Sequence, residues 1–112
     1  MLKPGTYEVE FFRGLPGGDS PFLVWLQSLS IPFKERIMSR IGRMQRGNFG
    51  DFKPLGENFY ELRLDFGPGF RVYFGHHEGR TVIILAGGDK STQSKDIKRA
   101  RQFWKTYLEA NS

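Results

Sequence analysis

Residues Tyr60 to Phe74, reading YELRLDFGPGFRVYF, constrain the fold more than any other stretch of this chain. Apolar and polar residues alternate on both sides of Gly67-Pro68-Gly69, the period of a strand with two distinct faces, and Gly-Pro-Gly is turn chemistry. The segment therefore predicts an antiparallel hairpin. Tyr60, Leu62, Leu64 and Phe66 fall on one face with Phe70, Val72 and Phe74. Glu61, Arg63 and Asp65 fall on the other with Arg71 and Tyr73. A three-residue loop would pair Phe66 with Phe70, set Asp65 opposite Arg71 and set Arg63 opposite Tyr73. A face with two guanidinium groups and a phenol suits a phosphate-rich ligand, because the guanidinium fork matches phosphate oxygens. The same residues also fit a solvated face with one Asp–Arg cross-strand pair.

The rest of the chain supplies what such a hairpin packs against. Thr6–Phe12 alternates and predicts a first strand; Arg13–Ser20, rich in glycine, predicts a loop. Ser20 or Asp19 can cap a short helix that has Pro21 at its first position and Phe22, Trp25, Leu26 and Leu29 at helical spacing. A second helix is predicted from Pro32 to Arg46, ending at Gly47-Asn48. Its core stripe is Phe33 or Ile37, then Ile41 and Met44, with Arg36, Arg40 and Arg43 on another face. Phe49–Asn58 reads as a loop carrying Lys53-Pro54. After the hairpin come a turn at His76–Gly79, a third strand over Thr81–Gly87, a polar loop through Gln93, and a final helix to Ala110. Thr92 or Ser94 caps that helix; Ile97, Ala100, Phe103 or Trp104, and Leu108 are its buried positions, and Lys95, Lys98, Arg99, Arg101 and Lys105 its outer face. The expected fold class is α+β. A small antiparallel sheet, in the chain order β-α-α-β-β-β-α, is packed on one side by helices, and residues 1–112 form a single domain.

The 112 residues carry seventeen Lys and Arg against twelve Asp and Glu, a net charge of +5 and a pI near 9.7. That balance favours a polyanionic partner: RNA, DNA or an acidic protein. With no cysteine, disulfides, a thiol nucleophile and Cys-based zinc sites are excluded, and a reducing cytoplasm is the fitting compartment. No stretch reaches the ~18 apolar residues of a membrane span, nor does the N-terminus read as a signal peptide.

Several enzyme classes drop out on motifs. There is no Walker loop, dinucleotide fingerprint or Gly-x-Ser-x-Gly elbow. His76 and His77 are adjacent in a strand-like context and face opposite ways, a poor metal pair. No metal or cofactor is expected. What remains is cationic: Lys53, Arg63, Arg71 and Lys90 come from separate strands and loops and could converge. Cations stabilise the developing charge of a phosphodiester transition state, and RNA brings its own nucleophile in the 2′-OH. Tyr73 is the one polar-face group here that resembles a proton donor.

Glu61–Phe74, followed by Gly87-Gly-Asp-Lys-Ser-Thr-Gln93 and Asp96-Ile97, resembles the RelE/ParE toxin superfamily, and within it the HigB-like addiction-module killer proteins. Trp25-Leu26, Arg40-Ile-Gly-Arg43 and Gly47–Leu55 fit the same branch, so that the resemblance runs over roughly residues 20–105.

The resemblance implies a toxin of a type II toxin–antitoxin module. Its activity would be that of a ribosome-dependent mRNA endonuclease cleaving through 2′-OH attack, without a metal. Arg63, Arg71 and Lys90 fall at catalytic cations of the nuclease members, and Lys53 lies in a lysine-bearing loop before the hairpin. With Lys53, the second-helix residues Arg36, Arg40 and Arg43 would meet RNA or the ribosome. The implied partners are a HigA-like helix-turn-helix antitoxin, the ribosome and mRNA, with operator DNA reached only through the antitoxin. The alternative within the superfamily is a ParE-like inhibitor of DNA gyrase. Some nucleases of the group carry a catalytic tyrosine near the C-terminus; here Lys95-Asp96-Ile97 stands in that region. Tyr73, an acid such as Asp89 or Asp96, or the cations alone would then have to serve. Each acid has a structural reading too: Asp89 shapes its loop, and Asp96 is a first-turn acid on the helix dipole.

Overall fold

In the computed structural model, which describes residues 2–112, the chain is α+β: one five-stranded sheet and three helices. Strand β1 (Glu8–Phe11) leads to α1 (Pro21–Gln27) and α2 (Ile31–Gln45). Strands β2 (Phe52–Gly56), β3 (Phe59–Arg63), β4 (Arg71–His77) and β5 (Thr81–Gly88) follow in sequence, and α3 (Gln93–Ala110) closes the chain. The strand order is β1-β5-β4-β3-β2. Strands β2 to β5 are antiparallel neighbours, while β1 runs parallel to β5, so the sheet is mixed rather than wholly antiparallel.

The helix boundaries follow local chemistry. Ser20 accepts a hydrogen bond from the Leu23 N–H at 3.1 Å, and Pro21 opens α1 where its missing donor costs nothing. Helix α2 stops at Gly47, whose φ of 80° brings its N–H to the Met44 carbonyl and that of Asn48 to the Arg43 carbonyl, both at 3.0 Å. Ile37, Ile41 and Met44 are its buried residues, on the stripe expected.

Three expectations need correction. Residues 49–58 hold a strand, β2, disguised by Lys53-Pro54 and Gly56. It lies at the sheet edge, where one side of the backbone has no partner and a proline is tolerated. The β3–β4 loop is longer than three residues. Arg63 pairs with Arg71 and Glu61 with Tyr73, and the Leu64 N–H bonds the Phe70 carbonyl at 3.0 Å. Phe66 leaves the strand to lie against Phe33 and Phe70, so it cannot pair with Phe70, and exposed Asp65 forms no ion pair with Arg71. The offset is even, so each side chain keeps its expected face. The helices, finally, cover both faces of the sheet rather than one. Around α1 and α2 the core gathers Phe22, Ile37, Ile41, Met44, Leu62, Val72, Phe74 and Ile84; around α3 it gathers Phe59, Tyr73, Ile83, Leu85, Ala100 and Trp104. The two tryptophans mirror each other. Trp25 lies directly on Gly87 from one side and Trp104 on Gly75 from the other, places where any Cβ would collide with the indole. Among the described residues no helix is long and apolar enough to cross a membrane.

Candidate functional site

Where α3 begins, the ends of the central strands carry a polar cluster. Arg63, Arg71 and Gly88 lie side by side across β3, β4 and β5, and two residue pairs further in, Lys53, Glu61 and Tyr73 form a second row on the same face. Glu61 is 1% exposed, a burial that a carboxylate tolerates only with partners. Its Oε1 lies 3.2 Å from Arg63 Nε and 4.0 Å from Arg71 Nε, and its Oε2 accepts a hydrogen bond from Gln93 Nε2 at 2.7 Å. Glu61 therefore ties together two strands and the first residue of α3.

The two arginines are held differently. Arg71 is mostly covered; its Nη1 donates to the Gly69 and Phe70 carbonyls at 3.0 and 3.2 Å, while its buried Nε has only the distant contact with Glu61. The Arg63 side chain is 37% exposed. Lys90 arrives from the turn after β5. Its side chain and the Arg71 guanidinium both lie within 4 Å of the place a Gly69 Cβ would occupy, so the two cations flank one glycine, whose φ is +79°. Arg63, Arg71 and Lys90 thus border one open depression of about 500 Å³, with Asp51, Asp65 and the Gly67–Gly69 loop completing its wall.

A second depression of about 520 Å³ adjoins the first at Asp65, which lines both, and it is bordered by Arg36, Arg40 and Arg43 of α2. Arg36 stacks over the Phe66 ring, 3.9 Å from its centroid, and Arg40 lies over Gly50. Of the four cations expected to converge, Arg63, Arg71 and Lys90 border one depression, while Lys53, though on the Glu61 face, is exposed and borders neither; Arg36, Arg40 and Arg43 of α2 border the neighbouring one.

Tyr73 is not where a proton donor to a bound ligand would have to be. Its side chain is fully buried, stacked on Phe59, and its hydroxyl has no hydrogen-bond partner. Burial foremost, then the charges of Glu61 and Asp96, push the phenol far above its ordinary value, with Arg71 opposing weakly. Asp89 and Asp96 are engaged locally. Asp89 accepts from Ser91 N at 2.8 Å and Ser91 Oγ at 2.5 Å, capping the short 3₁₀ turn Lys90–Thr92, and these bonds hold its carboxyl below the usual value. Asp96 accepts from the Thr92 hydroxyl and lies over Gly88.

Glu61 and Gln93 are the members that sequence reasoning passed over. The signal for Glu61 was present: an acid two residues before Arg63 in a strand shares its face. The depth of its burial depends on α3 lying over that face. Among the described residues, no three His, Asp or Glu side chains are grouped to hold a metal ion.

The sequence belongs to a recognisable family. Residues 24–105 match the family described as phage derived protein Gp49-like (DUF891). A protein of Haemophilus influenzae (strain ATCC 51907 / DSM 11121 / KW20 / Rd), described as uncharacterized, is 51% identical over 78 residues, which span 69% of this chain and 79% of that one. The chain belongs to the Gp49-like phage-derived family, a toxin–antitoxin-related family of the RelE/HigB-like toxin type.

Proposed function

We propose that this chain is the toxin of a type II toxin–antitoxin module and acts as a ribosome-dependent mRNA endonuclease in the cytoplasm. The observation that carries the reading is the convergence of Arg63, Arg71 and Lys90 on one depression, two of them braced by a buried carboxylate. Arg71, clamped by two carbonyls, presents a fixed charge to the scissile phosphate. Arg63 and Lys90 neutralise the charge that grows as the 2′-oxygen bonds to phosphorus and the bond to the 5′-oxygen breaks, leaving a 2′,3′-cyclic phosphate and a 5′-hydroxyl protonated from water. Preset cations of this kind need no reorganisation in the transition state.

Tyr73, being buried, acts beneath the site by holding the Glu61–Arg71 geometry rather than by moving a proton. Asp51 and Asp65 are the carboxylates on the depression's wall, and neither forms a salt bridge, which leaves them as acceptors for the 2′-OH proton. Arg36, Arg40 and Arg43 continue the cationic surface past Asp65 and give the neighbouring RNA backbone or the ribosome a path. Lys53 adds charge at the sheet edge. An antitoxin of helix-turn-helix, HigA-like type silences the surface and alone carries the pair to operator DNA.

The test is induced expression in a growing bacterium with 5′-end mapping of mRNA. New cuts inside translated frames should appear with the wild type. Arg71→Ala should lose on the order of 10²–10³ in cleavage rate while staying folded. Growth arrest with intact mRNA and DNA-damage signalling would replace this reading by gyrase inhibition of ParE type. Naked RNA should be cut poorly, because the ribosome completes the site.

A further inference from the structure

Arg63 and Arg71 stand directly opposite each other on β3 and β4. Like charges in that register repel, so the two guanidinium groups left to themselves would turn apart. The side chain placed to prevent this is Glu61, which shares their face of the sheet. Glu61 is buried and does not line the depression, so it meets the arginines from beneath and no ligand from above. Its two oxygens are divided. Oε1 accepts from Arg63 Nε at 3.2 Å and faces Arg71 Nε at 4.0 Å, while Oε2 accepts from Gln93 Nε2 at 2.7 Å.

That division sets direction. The donors of an arginine lie in one rigid plane, so fixing one edge aims the other. Arg63 commits Nε to Glu61 and keeps both terminal nitrogens. Arg71 commits Nη1 to the Gly69 and Phe70 carbonyls and keeps Nη2. Gln93 is the first residue of α3, so the helix that buries this face also fixes the orientation of the carboxylate. We infer that Glu61 is the positioning residue of this site: its buried charge offsets the repulsion between Arg63 and Arg71 and aims their remaining nitrogens at one phosphate, with Gln93 holding the carboxylate in place. The inference rests on the nuclease reading. Glu61 touches neither substrate nor reacting atoms and acts through the arginines alone.

The test is cleavage kinetics of the purified chain on mRNA-programmed ribosomes. Glu61→Gln keeps the shape and can still accept from Gln93, but removes the charge. It should lower kcat by on the order of 10²-fold and leave KM unchanged, because small misplacements of the cations matter at the reacting phosphate and not for docking. The NMR signal of the Arg63 Nε–H should move to where unpaired arginines resonate. Exchanging the pair, Glu61→Gln with Gln93→Glu, returns a carboxylate from the α3 side and should recover about tenfold in kcat. Gln93→Ala keeps the charge but frees its direction, and should lose about tenfold. Wild-type kcat in Glu61→Gln, a change in KM alone, or a folded Glu61→Gln that the exchange does not rescue would each overturn the positioning role. Should Glu61→Gln not fold, Gln93→Ala decides, and an unchanged kcat there overturns it too. A wild type that cuts no mRNA on ribosomes would overturn the nuclease reading and this role together, whereas wild-type cutting matched by every variant would remove the role alone.

Discussion

The two faces of the sheet are built on different terms. Against α1 and α2 the packing is apolar and largely aromatic: Phe74 is stacked between Tyr60 and Phe49 at centroid distances of 5.2 and 5.7 Å. Against α3 the face changes character along its length. Near the middle of the helix it is Trp104, Ala100 and Leu85, whereas at the helix start it is Glu61, Arg71 and Tyr73. A core built for stability alone would not bury a carboxylate and leave a phenol hydroxyl and a guanidinium Nε without hydrogen-bond partners. The first face holds the fold; the second gives up some of that stability to fix charges at one place.

Three perturbations would sharpen or break this contrast. The largest effect belongs to the aromatic face: Phe74→Ala should cost about 3–5 kcal/mol in denaturant unfolding, as a buried phenyl truncated without collapse does. A loss under 1 kcal/mol would mean that this face is not the main support. On the other face the sign should reverse. Tyr73→Phe removes a buried hydroxyl with no partner, so the variant should be about 1–3 kcal/mol more stable, and a loss would reveal a hydrogen bond the geometry does not contain. The same residue has a pH signature. An unfolded phenol ionises near its ordinary 10.0 and the folded one only well above it, so stability is complete below pH 10 and declines as pH rises beyond it. Tyr73→Phe should lessen that alkaline decline, measurable by urea titration at pH 9 and pH 11, with a remainder from Tyr60 and Tyr107, whose phenols burial also raises. The smallest effect lies at the turn that carries Lys90. Asp89→Ala should cost about 1 kcal/mol as a lost cap. Because the Asp89 carboxyl is held below its ordinary 3.8 in the fold, the wild-type advantage is present above that value and vanishes as pH falls through the folded one.

Much of this arrangement was legible in the chain. Alternation in Tyr60–Phe74 assigned every hairpin side chain to its face, and Ser20-Pro21 and Gly47 marked helix ends, because those signals are local. The hairpin register was not, since it depends on Phe66 leaving the strand for Phe33, a contact with another helix. Strand β2 was hidden because proline and glycine read as breakers unless the strand is known to lie at an edge. At the site, residue type names four cations, of which Arg63, Arg71 and Lys90 border one depression and Lys53 does not, and Tyr73 reads as a proton donor on the polar face. Its alternation pattern says only which face it occupies, and the cover that makes that face an interior is α3, added at the far end of the chain.

That lateness extends to the whole sheet. Strand β1 finds its place only beside β5, Glu8 against Thr81 and Phe11 against Ile84, so the first strand of the chain must wait for the last. Pairing across so much sequence is slow to form and cannot begin until β5 has been made. Arg63 and Arg71 are synthesised earlier, yet Gly88, Lys90 and Gln93, which complete the cluster, follow β5 itself. A nascent copy thus carries Arg63 and Arg71 without their arrangement until the segment after β5 has been made.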